Sequence, residues 1–232
     1  MAKEQSSGRF LTPEQASRVY DRIGRFQDWQ AVYEARAIRE LIRMASLDES
    51  KGVFEFGCGT GAFAASLLKS CLPPDCRYIG IDIAPRMVRL ATTRLQPWGE
   101  RAKIKLSDGS SRLHEPDETF DHFVSNYVLD LLAPEYASAI IFEAFRVLRN
   151  RGRLCLITLG HGRSGVQRLV TELWERIWRL KPEIVGGCRP VDLRRLLAAQ
   201  EWSIDGYKVV TAFGITSEVL VASRHRHLGR LQ

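Results

Sequence analysis

Between residues 12 and 47 the apolar positions recur at helical spacing, as at Ile38, Leu41, Ile42 and Ala45, which predicts a mainly helical segment. Gly24 lies inside it. A glycine in a helix interior costs about 1 kcal/mol relative to alanine, so a break is expected there. From Lys51 onward the pattern changes, and short apolar runs alternate with amphipathic stretches. The runs predict strands over 53–56, 78–81 (ending at Asp82), 103–106 (ending at Asp108), 120–125 (ending at Asn126) and 153–159. Between them, helices are expected over 62–71, stopped by Pro73-Pro74, and over 85–95, with Pro85 suited to a first turn. Further helices are expected over 135–148, closed by Asn150 and Gly152, over 166–180 with strong amphipathicity, and over 192–199. Two last runs, 202–210 and 217–222, read as an antiparallel pair. Strands alternating with helices predict an α/β fold with a mainly parallel sheet covered on both faces. In such sheets ligands bind beyond the carboxyl ends of the strands, where this chain carries glycines, Asp82, Asp108 and Asn126.

Two glycine clusters compete for that role. In "VFEFGCGTGAF" Gly57, Gly59 and Gly61 follow a strand and open a helix, with Glu55 upstream. Asp82 stands 21 residues after Gly61, at the end of the next strand. A carboxylate there can accept from both hydroxyls of a ribose, Glu55 can orient the loop or meet an ammonium group through water, and Asp108 can accept from an exocyclic amine. In "LITLGHGRSGV" Gly160, Gly162 and Gly165 have the better G-x-G-x-x-G spacing, but no acidic strand end follows. Glu183 comes after "RLKP", which is not a strand, so dinucleotide binding is disfavoured and the cluster reads as a strand-to-helix loop at the sheet edge. Neither cluster is a P-loop, because no G-K-[ST] follows.

The composition is that of an ordinary globular chain, 45% hydrophobic and 26% charged over 232 residues. No apolar run is long enough to cross a membrane and "MAKEQSSGRF" lacks the apolar core of a secretory signal, so a cytoplasmic location is expected. The five cysteines, Cys58, Cys71, Cys76, Cys155 and Cys188, are scattered without C-x-x-C or zinc spacing, and no metal is expected. The net charge of +7 favours acidic partners such as nucleic acid, anionic lipid or an acidic metabolite.

At "EFGCGTG" the chain resembles motif I of the class I S-adenosylmethionine-dependent methyltransferases. "YIGIDIAPRMVRLA" is similar to their second motif, "KLSDGSSRLHEPDETFDHFVSNYVLDLL" to the next strand pair, and "EAFRVLRNRGRLCLITL" to the helix and strand after it. The closest branch is the ubiquinone/menaquinone methyltransferase-like (type 11) group, and one departure is Ala84-Pro85, where many members have a serine. The resemblance implies a Rossmann-like seven-stranded sheet with the last strand antiparallel and an N-terminal helical lid. It divides the chain into a lid segment (1–47), a methyltransferase domain (48–224) and a basic tail (225–232). It implies S-adenosyl-L-methionine as cofactor and S-adenosyl-L-homocysteine as product. Gly57, Cys58, Gly59 and Gly61 would line the methionine part, beside Glu55. Asp82 would hold the ribose, Ile83 and Met87 would flank the adenine, Asp108 and Gly109 would lie at its amine, and Asn126 would sit near the sulfonium. Tyr20 matches a tyrosine near the methionine carboxylate.

For the acceptor, Tyr127, Asp130 and His161 are the candidate bases at the expected mouth, with a helix cap or salt bridge the alternative for Asp130. The stretch "SNYV" departs from the [DNS]-P-P-[YFW] of base-amine methyltransferases, and no Pro-Cys pair for cytosine methylation occurs. A small-molecule or lipid-like acceptor is favoured and nucleic acid less so, with an RNA methyltransferase or a non-catalytic cofactor-binding subunit as alternatives. Trp174 and Trp178 with the basic charge suit peripheral contact with an anionic membrane, or else form core and a homodimer face.

Overall fold

The computed structural model describes residues 27–162 and 165–225. Seven strands form one sheet in the order β3-β2-β1-β4-β5-β7-β6. These are β1 Gly52–Phe56, β2 Arg77–Asp82, β3 Ala102–Leu106, β4 Phe120–Asn126, β5 Leu148–Leu159, β6 Trp202–Ala212 and β7 Ile215–Arg224. The first five run parallel, and β7 enters antiparallel between β5 and β6. The order reverses at β1, whose neighbours are β2 and β4. At such a reversal the flanking crossovers leave on opposite faces and a crevice opens at the carboxyl ends.

The helices are α1 Gln27–Ala45, α2 Ala62–Ser70, α3 Pro85–Leu95, α4 Pro134–Val147, α5 Gly165–Leu180 and α6 Leu193–Leu197. Asp192 is the N-cap of α6, its carboxylate accepting from the Arg194 and Arg195 amides at 3.1 and 3.2 Å. All five β1 residues are buried, as expected of a central parallel strand. Side chains alternate between two cores. Phe54, Phe123, Leu154, Leu156 and Leu220 pack with α4 and α6 on one face. Val53, Val124, Cys155, Ile157 and Val219 pack with α1 and α2 on the other.

Three points refine the expectations. First, the part of α1 whose side chains are described packs on the sheet: Ala37, Leu41 and Ala45 are fully buried, and Met44 sits against Gly206 of β6, whose added β-carbon would lie 2.8 Å from its sulfur. The Ala45 carbonyl accepts from His122 and Arg153, each at 2.8 Å. Gly24, Tyr20 and most of the basic tail lie outside the described residues. Second, α4 passes directly into β5, which begins at Leu148 rather than Arg153, with a register shift in its pairing to β4 and Arg151 in a left-handed turn (φ 65°). Local turn residues suggested an end that the ladder overrides. Third, β5 is flanked by β4 and β7, so the second glycine cluster leaves an interior strand, not the sheet edge.

Candidate active site

The first glycine cluster turns at the end of β1 under two constraints. Gly57 has φ 77°, and a β-carbon there would come within 2.3 Å of the Val128 side chain. Gly61 has φ 72°, and its β-carbon would stand 3.1 Å from Ala91 of α3. Only glycine meets a left-handed backbone and such close approach together. Gly59 differs: nothing stands within 4 Å of the place its β-carbon would take. The amides of Gly57 and Cys58 donate to the Ile81 carbonyl at 2.9 Å, so the loop is laced to the end of β2. Arg94 of α3 donates to the carbonyl and hydroxyl of Thr60 at 2.9 and 2.6 Å.

Asp82 closes this arrangement. One oxygen accepts from the Gly59 amide and the other from the Ala84 amide, both at 2.9 Å. Burial raises its pKa, and the hydrogen bonds from Ala84, Gly59 and Ile83 act against that rise. Each carboxylate oxygen retains acceptor capacity. At the end of β4 the amide nitrogen and oxygen of Asn126 are buried without a hydrogen-bond partner among the described residues. Such orphaned groups are uncommon in folded proteins.

Glu55 is 2% exposed and accepts a short hydrogen bond from the Tyr78 hydroxyl. Burial is the main cause that lifts its pKa to about 8, with Asp82 adding to the rise and the Tyr78 bond opposing it. Tyr78 was not legible as a partner, although Gly80 was a signal: a β-carbon there would lie 2.8 Å from the Tyr78 hydroxyl and 2.9 Å from Cys58. A glycine inside a strand often marks such a close approach. Burial also pushes the Cys58 thiol up, leaving it un-ionised.

The other predicted residues are more dispersed. Asp108 is exposed after β3, accepting from the Ser110 amide at 2.8 Å and paired with His114 at 3.1 Å; these contacts lower its pKa. Gly109 is left-handed (φ 78°), and its carbonyl accepts from Tyr136 of α4 at 2.9 Å. Ile83 is half-buried, and Met87 is 1% exposed on α3. Asp130 lies in a turn, not on a helix, and is fully buried. One of its oxygens accepts from the Leu159 amide at 3.3 Å, and burial raises its pKa to about 7. Tyr127 has φ 54°, its hydroxyl lies 2.8 Å from that of Ser217, and burial pushes its pKa up. His161 is half exposed and pairs with Glu175 at 3.3 Å. Glu218 of β7 escaped sequence reading because it sits in an apolar run. It is 7% exposed, its carboxylate accepts from the Leu193 amide at 3.1 Å, and burial raises its pKa. Among the described residues no group of three or more His, Cys, Asp or Glu is placed to hold a metal ion.

Comparison with known proteins adds to this geometry. Residues 53–152 match the family model described as "Methyltransferase domain". The match covers 100 of the 232 residues and runs from the first residues of β1 into β5. A demethylmenaquinone methyltransferase of Tropheryma whipplei (strain Twist) is 26% identical over 150 residues, 65% of this chain and 58% of that protein. The methyltransferase domain and its flanks span about half the length of the curated relatives they match, from 42% to 58%. Among solved structures, the [4+2]-cyclase SpnF superposes with a TM-score of 0.72 at 16% identity, over 93% of this chain and 98% of that one. The geranyl diphosphate C-methyltransferase of Streptomyces coelicolor A3(2), solved with S-adenosyl-L-homocysteine, gives 0.69 at 11% identity, over 91% and 97%. At these identities the likeness concerns the fold of the methyltransferase domain; a cyclase on the same scaffold shows that fold leaves the chemistry open.

Proposed function

We propose that this chain transfers a methyl group from S-adenosylmethionine to a small-molecule or lipid-like acceptor. The observation that carries the reading is Asp82, which grips the Gly59 amide beside the open face of Gly59. The cofactor supplies an activated methyl group on a sulfonium centre. The residues present fit it. The open front of Gly59 can take the methionine chain against the backbone of Gly57, Cys58 and Gly61. Asp82 has lone pairs left for ribose hydroxyls. Ile83 and Met87 would border the adenine, Met87 from inside the core, and Asp108 with Gly109 would lie at its amine. The unpartnered amide of Asn126 supports a polar contact near the reacting end. Glu55, held by Tyr78, stiffens the strand below the loop. Tyr20, outside the described residues, would meet the methionine carboxylate.

Alignment and exclusion of water account for most of the acceleration in such a displacement, and a base is needed only for an acceptor that must first lose a proton. Asp130, which burial lifts to a pKa of about 7, is a candidate for that base. Tyr127 and His161 already bond Ser217 and Glu175. The demethylmenaquinone and geranyl diphosphate enzymes among its relatives and structural neighbours support an apolar acceptor.

Calorimetry with S-adenosylhomocysteine tests the site. Asp82→Ala removes charge-assisted hydrogen bonds worth roughly 1.5–3 kcal/mol, so affinity should fall at least about tenfold, with the fold retained by circular dichroism. An analogue lacking both ribose hydroxyls should bind parent and variant almost equally. A variant that still discriminates fully between the two ligands would refute the role of Asp82.

A further inference from the structure

We infer that the outer face of α5, together with the β6–β7 turn, is a docking surface for an anionic phospholipid bilayer. Helix α5 has no buried residue among those described, although it is strongly amphipathic. Its inward side is held by polar pins. Trp174 and Trp178 donate their indole N–H groups to the carbonyls of Cys188 and Gly187 at 2.9 and 3.0 Å, and the Gly162 amide donates to Thr171 at 2.9 Å. The tryptophans therefore face the protein. The outward stripe is aliphatic: Val166, Leu169, Leu173 and Leu180 are 73%, 67%, 56% and 82% exposed. Their spacing of three, four and seven residues puts them on one side of the helix.

The turn between β6 and β7 extends this stripe. Val170 of α5 approaches Gly214, 3.6 Å from the position of an added β-carbon, so the turn lies beside the helix. Phe213 at its tip is 78% exposed and left-handed, φ 52°. A bulky residue is disfavoured in that conformation, and a two-residue hairpin turn normally selects Asn, Asp or Gly. The chain holds an aromatic ring in water at an unfavourable backbone position.

Charge selects the occupant. Arg176 and Lys181 border the stripe and form no ion pair among the described residues, while Arg168 and Arg179 make only exposed pairs one turn away. An aliphatic face rimmed by arginine and lysine on a helix of low overall hydrophobicity is the pattern of an interfacial helix. Basic residues beside it are drawn to anionic headgroups. A second copy on the same face would set like charges opposite each other, with +7 on each chain. Helix α5 begins six residues beyond Leu159, at the carboxyl end of β5, so docking would bring the candidate site close to the bilayer.

Co-sedimentation tests this with vesicles of phosphatidylcholine alone and of three parts phosphatidylcholine to one part phosphatidylglycerol. The protein should bind the mixed vesicles, weakly or not at all the neutral ones, and less as salt screens the charges. The double variant Leu169→Glu/Leu173→Glu should lose about tenfold or more in partitioning. Phe213→Asn suits the left-handed turn, so it should fold at least as well as the parent and still bind vesicles more weakly. S-adenosylhomocysteine affinity should match the parent's in both variants, which separates failure of the docking surface from failure of the cofactor site. Parent protein that ignores anionic vesicles, or variants that bind them as well as the parent, would overturn the assignment. So would a parent dimer that the double variant turns into monomer, since the face would then belong to a second copy.

Discussion

Glu55, a carboxyl group in the middle of a central parallel strand, keeps its proton. It stays protonated in the folded chain up to about pH 8, against 4.5 for an ordinary glutamate. Between those values the folded state binds more protons than the unfolded chain, so stability falls as pH rises through this window and levels off above it. Asp130, shifted from 3.8 to about 7 by burial, adds a slope of the same sign. Glu55→Gln retains an acceptor for Tyr78 without an ionisable group. Denaturant unfolding from about pH 5 to about pH 9 should therefore show a shallower loss of stability in the variant, the remainder coming from Asp130, Asp82 and Glu218, whose pKa values burial raises, less the opposite slope of buried His122, whose pKa burial lowers. An unchanged slope would refute the burial of an ionisable Glu55. At this scale the sequence announced Glu55 and Asp82 through their places beside strand ends. It did not announce Tyr78, because a hydroxyl directed across a strand depends on which face the pleat presents.

The elements around the glycine loop work by leaving room. Gly80 gives the Tyr78 hydroxyl its passage, and a β-carbon there would meet that oxygen, Cys58 and Ile104 within 3.0 Å. Gly80→Ala should displace Tyr78 from Glu55 and cost about 1–3 kcal/mol, in the range of overpacked cores, read as a lowered denaturant midpoint at unchanged slope. A variant as stable as the parent would mean that the Tyr78 contact is dispensable. The second glycine cluster serves packing too: at Gly162 an added β-carbon would fall 2.2 Å from the Gln167 carbonyl, where the start of α5 crosses the loop. Its dinucleotide-like spacing was a coincidence of that crossing. Strands β1, β2 and β4 were readable almost to the residue because their apolar runs are short and end at polar residues. The start of β5 was not, because pairing with β4 outweighs the turn residues at Asn150 and Gly152.

At the scale of the molecule, α1 decides how the far half of the sheet is covered. It packs along β5, β7 and β6 and runs against the parallel strands, with Ala45 at the His122 end. Leu41 is fully buried there. Leu41→Ala should cost about 2–5 kcal/mol in denaturant unfolding while S-adenosylhomocysteine affinity stays within about twofold of the parent, since the contact is remote from the glycine loop. Lost affinity with unchanged stability would instead give this part of α1 a role at the cofactor site. The amphipathic period of this helix was plain in the sequence, but periodicity reports that one face is apolar and not what the face meets. The same holds for α5, where the sequence showed amphipathicity and two tryptophans, and the structure turned the tryptophans inward and the leucines out. What the sequence determined by itself was the alternation of strands and helices, the glycine turn after β1, and the acids and amides that end β2, β3 and β4. Each of these comes from local chemistry: period, backbone freedom at glycine, and polarity at the end of an apolar run. The tertiary structure alone decided the seat of α1 on the sheet, the Tyr78–Glu55 bond, the burial of Asp130 and Glu218, and the direction in which α5 shows its leucines. These depend on which surfaces meet across long separations in the chain, and no local pattern encodes that meeting.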